Sequence, residues 1–185
     1  MSAMQAALGD NRGPWIQTYS GRQFWPLAPR AEDLDIADIA HALANIPHWN
    51  GHTSAFYSVA QHSLHVSFLC PPELALWGLL HDASEAYIGD MSRPLKLAIP
   101  YFQRIEQGIQ YVIAERFGLV WPEPAAVKAA DNRSLATEAR DLLPGGAIGW
   151  DPGPSDLNIE LLPQAPGYAE FAFLARFEAL TGGTR

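Results

Sequence analysis

Residues 78–90 read Gly-Leu-Leu-His-Asp-Ala-Ser-Glu-Ala-Tyr-Ile-Gly-Asp, an apolar run that delivers His81 and Asp82 side by side and then Glu85 and Asp90. Trp77, Leu79 and Leu80 belong in an interior, and charge carried there is costly unless it is paired or bound to a metal. A bound ligand is the simplest remedy. On a helix, Asp82 and Glu85 stand three apart and His81 and Glu85 four apart, so imidazole and carboxylates share one face. His62 and Asp131 add ligand chemistry from two other helical segments, and tertiary structure can bring all four residues to one point. Mixed nitrogen and oxygen donors suit one divalent transition ion (Co, Mn, Fe or Zn) better than Mg or Ca. Four protein ligands would leave about two positions of an octahedral ion open. From spacing alone, Asp131 serves equally as a helix cap or as the ion-pair partner of Lys128 or Arg133. His65 reads as an ordinary surface or core histidine.

The elements that must position these residues are mostly helical. Residues 1–14 show no periodicity and read as a poorly ordered leader, with residues 15–185 forming one domain. Residues 15–25 suggest a small β-hairpin around Ser20-Gly21. Acidic residues 32–35 open a helix whose apolar face is Ile36, Ile39, Ala40, Leu43 and Ile46, stopped by Pro47. Residues 55–69 form the helix carrying His62, and residues 73–88 the one carrying His81, with Gly89 as its C-terminal cap. Residues 91–100 read as a connector broken by Pro94. Long helices follow near residues 102–117 and 122–142, then a Gly- and Pro-rich loop and a last amphipathic helix at residues 168–180. The expected fold is all-α, a compact helical bundle with a minor N-terminal hairpin.

Composition narrows the function. Hydrophobic residues make up 48% of the 185 residues and charged ones 17%, enough apolar content for a core and against wholesale disorder. A formal net charge of -8 argues against long nucleic acid as a partner, because phosphate backbones recruit clustered Lys and Arg. A small phosphorylated substrate remains compatible, since a metal and a few local cations can bind it. The single cysteine, Cys70, forms no internal disulfide, no signal-peptide pattern opens the sequence, and no apolar run is long enough to span a bilayer. The expectation is a cytoplasmic protein without a membrane partner.

The ordered set of Gln61-His62-Ser63, Leu80-His81-Asp82-Ala83 and Ala130-Asp131-Asn132 resembles the HD-domain phosphohydrolases, whose pattern is a His, a His-Asp pair and a distant Asp. Residues 58–63, 81–85 and 89–96 are similar to the bacterial 5′-deoxynucleotidase branch, and the likeness covers about residues 36–142. The resemblance implies metal ligation by His62, His81, Asp82 and Asp131, with Glu85 and Asp90 in the catalytic centre. Glu85 would orient water or move protons, and Asp90 would donate a proton to the leaving oxygen or position the nucleophile. The resemblance also implies a deoxynucleotide substrate, most simply a deoxynucleoside 5′-monophosphate. The related phage dATP triphosphohydrolases offer a triphosphate alternative, a nucleotide-binding sensor is the non-enzymatic one, and low basic content weighs against a nuclease.

For substrate binding, Lys96 matches a lysine of the deoxynucleotidase branch, although it is equally an ordinary exposed lysine. The loop before the first metal histidine departs from the family pattern. It reads His48-Trp49-Asn50-Gly51-His52 where the family carries an arginine followed by an aromatic residue, leaving His48 or His52 to donate hydrogen bonds instead. Trp49 would stack on a base or belong to the core. Tyr57 and Tyr87 are further pocket-wall candidates. A homo-oligomer is expected, with the long helix from about Phe102 offering a surface.

Overall fold

Ile16–Gln17 (β1) and Gln23–Phe24 (β2) pair antiparallel with Ile16 opposite Phe24, a hairpin only two residues long on each side. Phe24 projects from it into the core and stacks on Tyr87 at 3.8 Å. The computed structural model describes residues 12–151, 153–155 and 159–182. Residues 1–11 of the expected leader lie outside that range, and Arg12 is tied down by an ion pair to Asp33 and by its guanidinium lying 3.6 Å over the Trp25 ring.

The expected helix at residues 32–46 divides in two. Ala31–Asp33 makes one 3-10 turn, and α1 (Ile36–Asn45) starts only after Asp35, whose carboxylate accepts the Ala37 amide at 3.0 Å and so caps the first turn. Ser58 does the same for α2 (Val59–Leu69), accepting the Gln61 amide at 3.2 Å. The chain continues through α3 (Ala75–Leu80), α4 (Glu85–Ile88), α5 (Arg93–Ala98), α6 (Pro100–Phe117), α7 (Ala125–Leu142) and α8 (Pro166–Thr181). The fold is all-α with a minor hairpin, as the residue pattern predicts.

Two expectations require correction. Residues 73–88 are not one helix: α3 ends at Leu80, residues 81–84 form a turn, and α4 adds a single turn. Bonds from the amides of Ala83, Glu85, Ala86 and Tyr87 reach three residues back rather than four, so the backbone is tightened where His81 and Asp82 sit. Residues 91–100 are not a plain connector either. Pro94 lies in the first turn of α5, where its missing N–H costs nothing.

Helix α2 is the hub, packed against α1, α3, α7 and α8, and residues 59–67 are buried without interruption. A helix enclosed on all sides carries no amphipathic pattern, so polar residues on it sit in the interior. The main core joins Phe24, Leu34, Ile39, Leu43, Leu79, Leu80, Ile109, Ile113 and Phe173, while Val66, Cys70, Trp77, Ala114, Val127 and Ala130 form a second cluster toward α7. No described helix is long and apolar enough to cross a membrane.

Gly78 sets how closely α3 approaches α2. A Cβ there would stand 2.7 Å from Cys70 Sγ, 3.0 Å from Ser67 Cα and 3.1 Å from the Val66 carbonyl oxygen. Gly78→Ala therefore pushes the two helices apart at their closest contact, and overpacking of this kind costs about 1–3 kcal/mol. For a chain of this size the melting temperature should fall by about 2–4 °C per kcal/mol, readable in a thermal melt.

Candidate metal centre

The close approach of α2 and α3 brings His62 and His81 face to face, their Nε2 atoms 3.2 Å apart. Each ring is fixed from its far side. The His62 Nδ1–H donates to Glu138 Oε1 at 2.7 Å, and the His81 Nδ1–H donates to the Gly78 carbonyl oxygen at 2.9 Å. Both imidazoles thus turn Nε2 inward, the arrangement that outer hydrogen bonds impose on metal-binding histidines. Asp82 Oδ2 lies 3.0 Å from His81 Nε2 and 3.4 Å from His62 Nε2. Asp131 Oδ1, from α7, lies 3.3 Å from His62 Nε2 and 3.9 Å from His81 Nε2. Lys128 pairs with the other Asp131 oxygen, so Asp131 is both a salt-bridge partner and a member of the cluster.

Charge at this point follows from burial opposed by neighbours. Burial would lower His62, but Glu138 with Asp131 and Asp82 outweighs it and holds the imidazole well above its usual value. Burial would likewise lower His81, and Asp82 then Asp131 raise it. Burial would raise Asp82 and Asp131, yet the imidazoles opposite hold Asp82 well below the usual carboxylate range and Asp131 at about 2. The donor set fits a divalent metal: His62, His81 and Asp131 offer atoms within 4.8 Å of one another, and Asp82 faces the same two nitrogens. These buried groups can hold a metal ion.

The linkage has a definite sign. Because both imidazoles are raised when metal is absent, they stabilise the metal-free fold fully below about pH 6.5, and that contribution is lost as pH rises through their elevated values. Metal requires the deprotonated rings, so its affinity climbs over the same window. The thermal shift produced by saturating Mn or Co should widen as pH rises above about 6.5, as melts with and without metal would show.

Glu138, which the sequence reading did not single out, organises the layer behind the cluster. It is fully buried, and its Oε1 accepts from His62, from the Ser134 hydroxyl at 2.8 Å and from the Tyr57 hydroxyl at 3.1 Å. Its Oε2 accepts the Trp49 indole N–H at 2.9 Å and faces His48 Nε2 at 3.4 Å. Burial would raise this carboxyl, but His62 and His48 hold it well below the ordinary range. Asp131, Ser134 and Glu138 stand three and four residues apart on α7, and that polar stripe at helical spacing was the available signal.

The 48–52 loop is shaped to meet Glu138. Trp49 (φ 57°) and Asn50 (φ 50°) are left-handed, at a cost on the order of 1 kcal/mol or more each, and Gly51 (φ 77°) completes the turn without that cost. His48 lies flat against His62 at 4.4 Å between ring centres and donates from Nδ1 to Asp90 Oδ2 at 3.1 Å. Trp49 is thus anchored through its N–H, and its ring lies 6.0 Å from that of Trp150.

The remaining candidates separate. Glu85 is buried, and burial with Asp82 and Asp90 pushes its carboxyl well above the usual range. Lys96 Nζ lies 3.7 Å from Glu85 Oε1 and bonds Glu106 Oε1 at 2.6 Å, so its charge is already engaged. The Tyr57 hydroxyl is spent on Glu138 and its ring is wholly buried, while Tyr87 packs on Phe24 in the core. Tyr57 has no open face, and the cavity that Tyr87 lines, beside Tyr19, Asp38 and His41, is not at the cluster. His52 is exposed on the loop and does not join the cluster. Glu123 is a further carboxyl near His81, Asp82 and Asp131; burial, with Asp82 and Asp131, raises it despite His81.

Against family models the chain finds no match. It is 42% identical over 171 residues to the uncharacterized protein YfdR of Escherichia coli K12, across 90% of this chain and 96% of that one. It is also 40% identical over 142 residues to an uncharacterized protein of Rhodobacter capsulatus, across 69% of this chain and 72% of the relative. Likeness of that degree over nearly the full length of both proteins means that the chain belongs to the family of E. coli YfdR.

Proposed function

We propose that the protein is a metal-dependent phosphohydrolase of the HD type that acts on deoxynucleotides, most simply releasing phosphate from deoxynucleoside 5′-monophosphates. The observation that carries this reading is the convergence of both Nε2 atoms with Asp82 and Asp131, each imidazole locked from behind. A divalent ion held by those four residues would polarise a phosphoryl oxygen and acidify water, the two services that hydrolysis of a phosphate ester needs. Glu85, whose surroundings favour its protonated form, is the group to hand a proton to the departing oxygen. Lys96, bonded to Glu106 and 3.7 Å from Glu85, is engaged there rather than free for phosphate. Asp90 orients His48, whose two nitrogens face Asp90 and Glu138 and so leave the place of the family's arginine unfilled by this residue. The deoxynucleotide class rests on the resemblance of residues 58–63, 81–85 and 89–96.

The test is to strip the protein with a chelator, reload it with Co, Mn, Fe or Zn in turn, and assay deoxynucleoside mono- and triphosphates. Metal-dependent phosphate release from monophosphates supports the proposal. Tripolyphosphate from dATP would make it a triphosphohydrolase, and saturable binding without turnover in every metal form would make it a sensor. Glu85→Gln should keep its metal while turnover falls about 10²- to 10⁴-fold, the usual worth of a general acid. Unchanged turnover would remove Glu85 from the mechanism.

A further inference from the structure

Asp38, on α1, is a buried carboxylate without a counter-charge. It is 3% exposed, and its two oxygens accept the Ser20 amide at 2.6 Å and the Ser20 hydroxyl at 2.8 Å, both neutral donors. The cations nearby are engaged elsewhere, Arg22 with Asp35 and His41 with Glu170. A buried charge is costly unless it is paired, and each carboxylate oxygen keeps room for a further donor.

Asp38 also lines a cavity of about 320 Å³ between the hairpin, α1 and α4. Ile16, Ala42 and Ala86 give it hydrocarbon walls, and Thr18 and Tyr87 add polar ones. Tyr87 is 7% exposed with its ring stacked on Phe24, and its buried hydroxyl makes no hydrogen bond with another described residue. Nearly every buried hydroxyl in a native protein finds a partner. Two unmet demands therefore belong to the residues around one space, a carboxylate wanting a cation and a hydroxyl oxygen wanting a donor.

We infer that this cavity binds a small organic ammonium ion, a primary amine on a short apolar chain. The volume falls at the lower end of small-molecule sites, which run from about 300 to 1,000 Å³, and far exceeds what a bare ion fills. A hard metal cation would want several oxygen ligands, whereas Ile16, Ala42 and Ala86 offer only hydrocarbon. An ammonium head supplies the positive charge for Asp38 and has N–H groups to spare for the Tyr87 oxygen, while its alkyl body covers the apolar walls. An anion would be repelled by Asp38, and a neutral alcohol would leave that charge uncompensated. None of these residues belongs to the metal cluster, so the inference does not rest on the proposed reaction.

Calorimetric titration and thermal melts of the full chain with n-butylammonium chloride test it, against n-butanol as the neutral isostere and sodium chloride at matched ionic strength. The amine should bind saturably and raise the melting temperature. n-Butanol should bind about 10- to 100-fold more weakly, the usual worth of a hydrogen bond to a charged group. Asp38→Asn keeps an oxygen for Ser20 and removes the charge, and should weaken the amine by the same factor. Ala42→Leu fills the cavity from α1 without touching Asp38 and should also block binding. Equal binding of n-butanol, no saturable binding of the amine below about 10 mM, or unchanged affinity in either variant would overturn the inference. The contrast of amine with alcohol is read on the native protein, so it decides the matter even where a variant fails to fold.

Discussion

Alanine at position 81 should abolish metal binding and lower turnover by on the order of 10³ or more, since a catalytic metal supplies several kcal/mol and each 1.36 kcal/mol is tenfold. His81 supplies one of only two nitrogen donors, and its ring is aimed by the Gly78 carbonyl, so no neighbouring side chain can replace it. The metal-free fold should lose stability as well. Asp82 and Asp131 outweigh the burial and the His62 repulsion that oppose a charged His81, and removing the ring gives up that attraction. The expected signature is a lowered metal-free melt with the metal-induced shift gone. Calorimetric titration with Co or Mn and paired thermal melts would show it. Retention of metal by the variant would place the ion elsewhere.

Glu138→Gln should act chiefly on the fold itself. Both carboxylate oxygens accept hydrogen bonds: from His62, Ser134 and Tyr57 on one, and from Trp49 on the other, which His48 also faces. An amide has a single acceptor oxygen, so whichever end the NH₂ occupies it confronts N–H or O–H groups. Breaking a buried ionic network from one side costs about 3–5 kcal/mol. Metal affinity should also fall about 10- to 100-fold as His62 loses its anchor. Denaturant unfolding of the metal-free protein separates the first effect from the second, which a metal titration reads.

The contrast between these two residues explains what the sequence disclosed. His62, His81, Asp82 and Asp131 were legible because their types and order are themselves the signal, and helical spacing assigned them to three segments. Glu138 was not, because a carboxylate two residues from Arg140 and three from Asp141 looks like surface. Its burial is decided by Trp49 and Tyr57, more than eighty residues away. The break in the helix at residues 81–84 was equally hidden, since a tightening of one residue per turn leaves the apolar pattern intact. No propensity rule puts Trp49 in a left-handed conformation; the bond from its indole to Glu138 holds it there. For Tyr57, aromatic character near a predicted site suggested a pocket, whereas a buried acceptor claimed it, and Tyr87 stacks on Phe24 and lines a cavity away from the cluster.

The crowding around Glu138 also bears on stoichiometry. His48, His62 and Glu138 lie close enough to resemble a second ion site beside the first. Yet the Glu138 oxygens are taken by hydroxyl, indole and imidazole hydrogens, and His62 cannot turn Nδ1 toward another ion without releasing that carboxylate. A second cation would have to displace protons that the fold itself depends on. A metal titration should therefore saturate at a single equivalent, with the neighbouring cluster serving as the site's insulation.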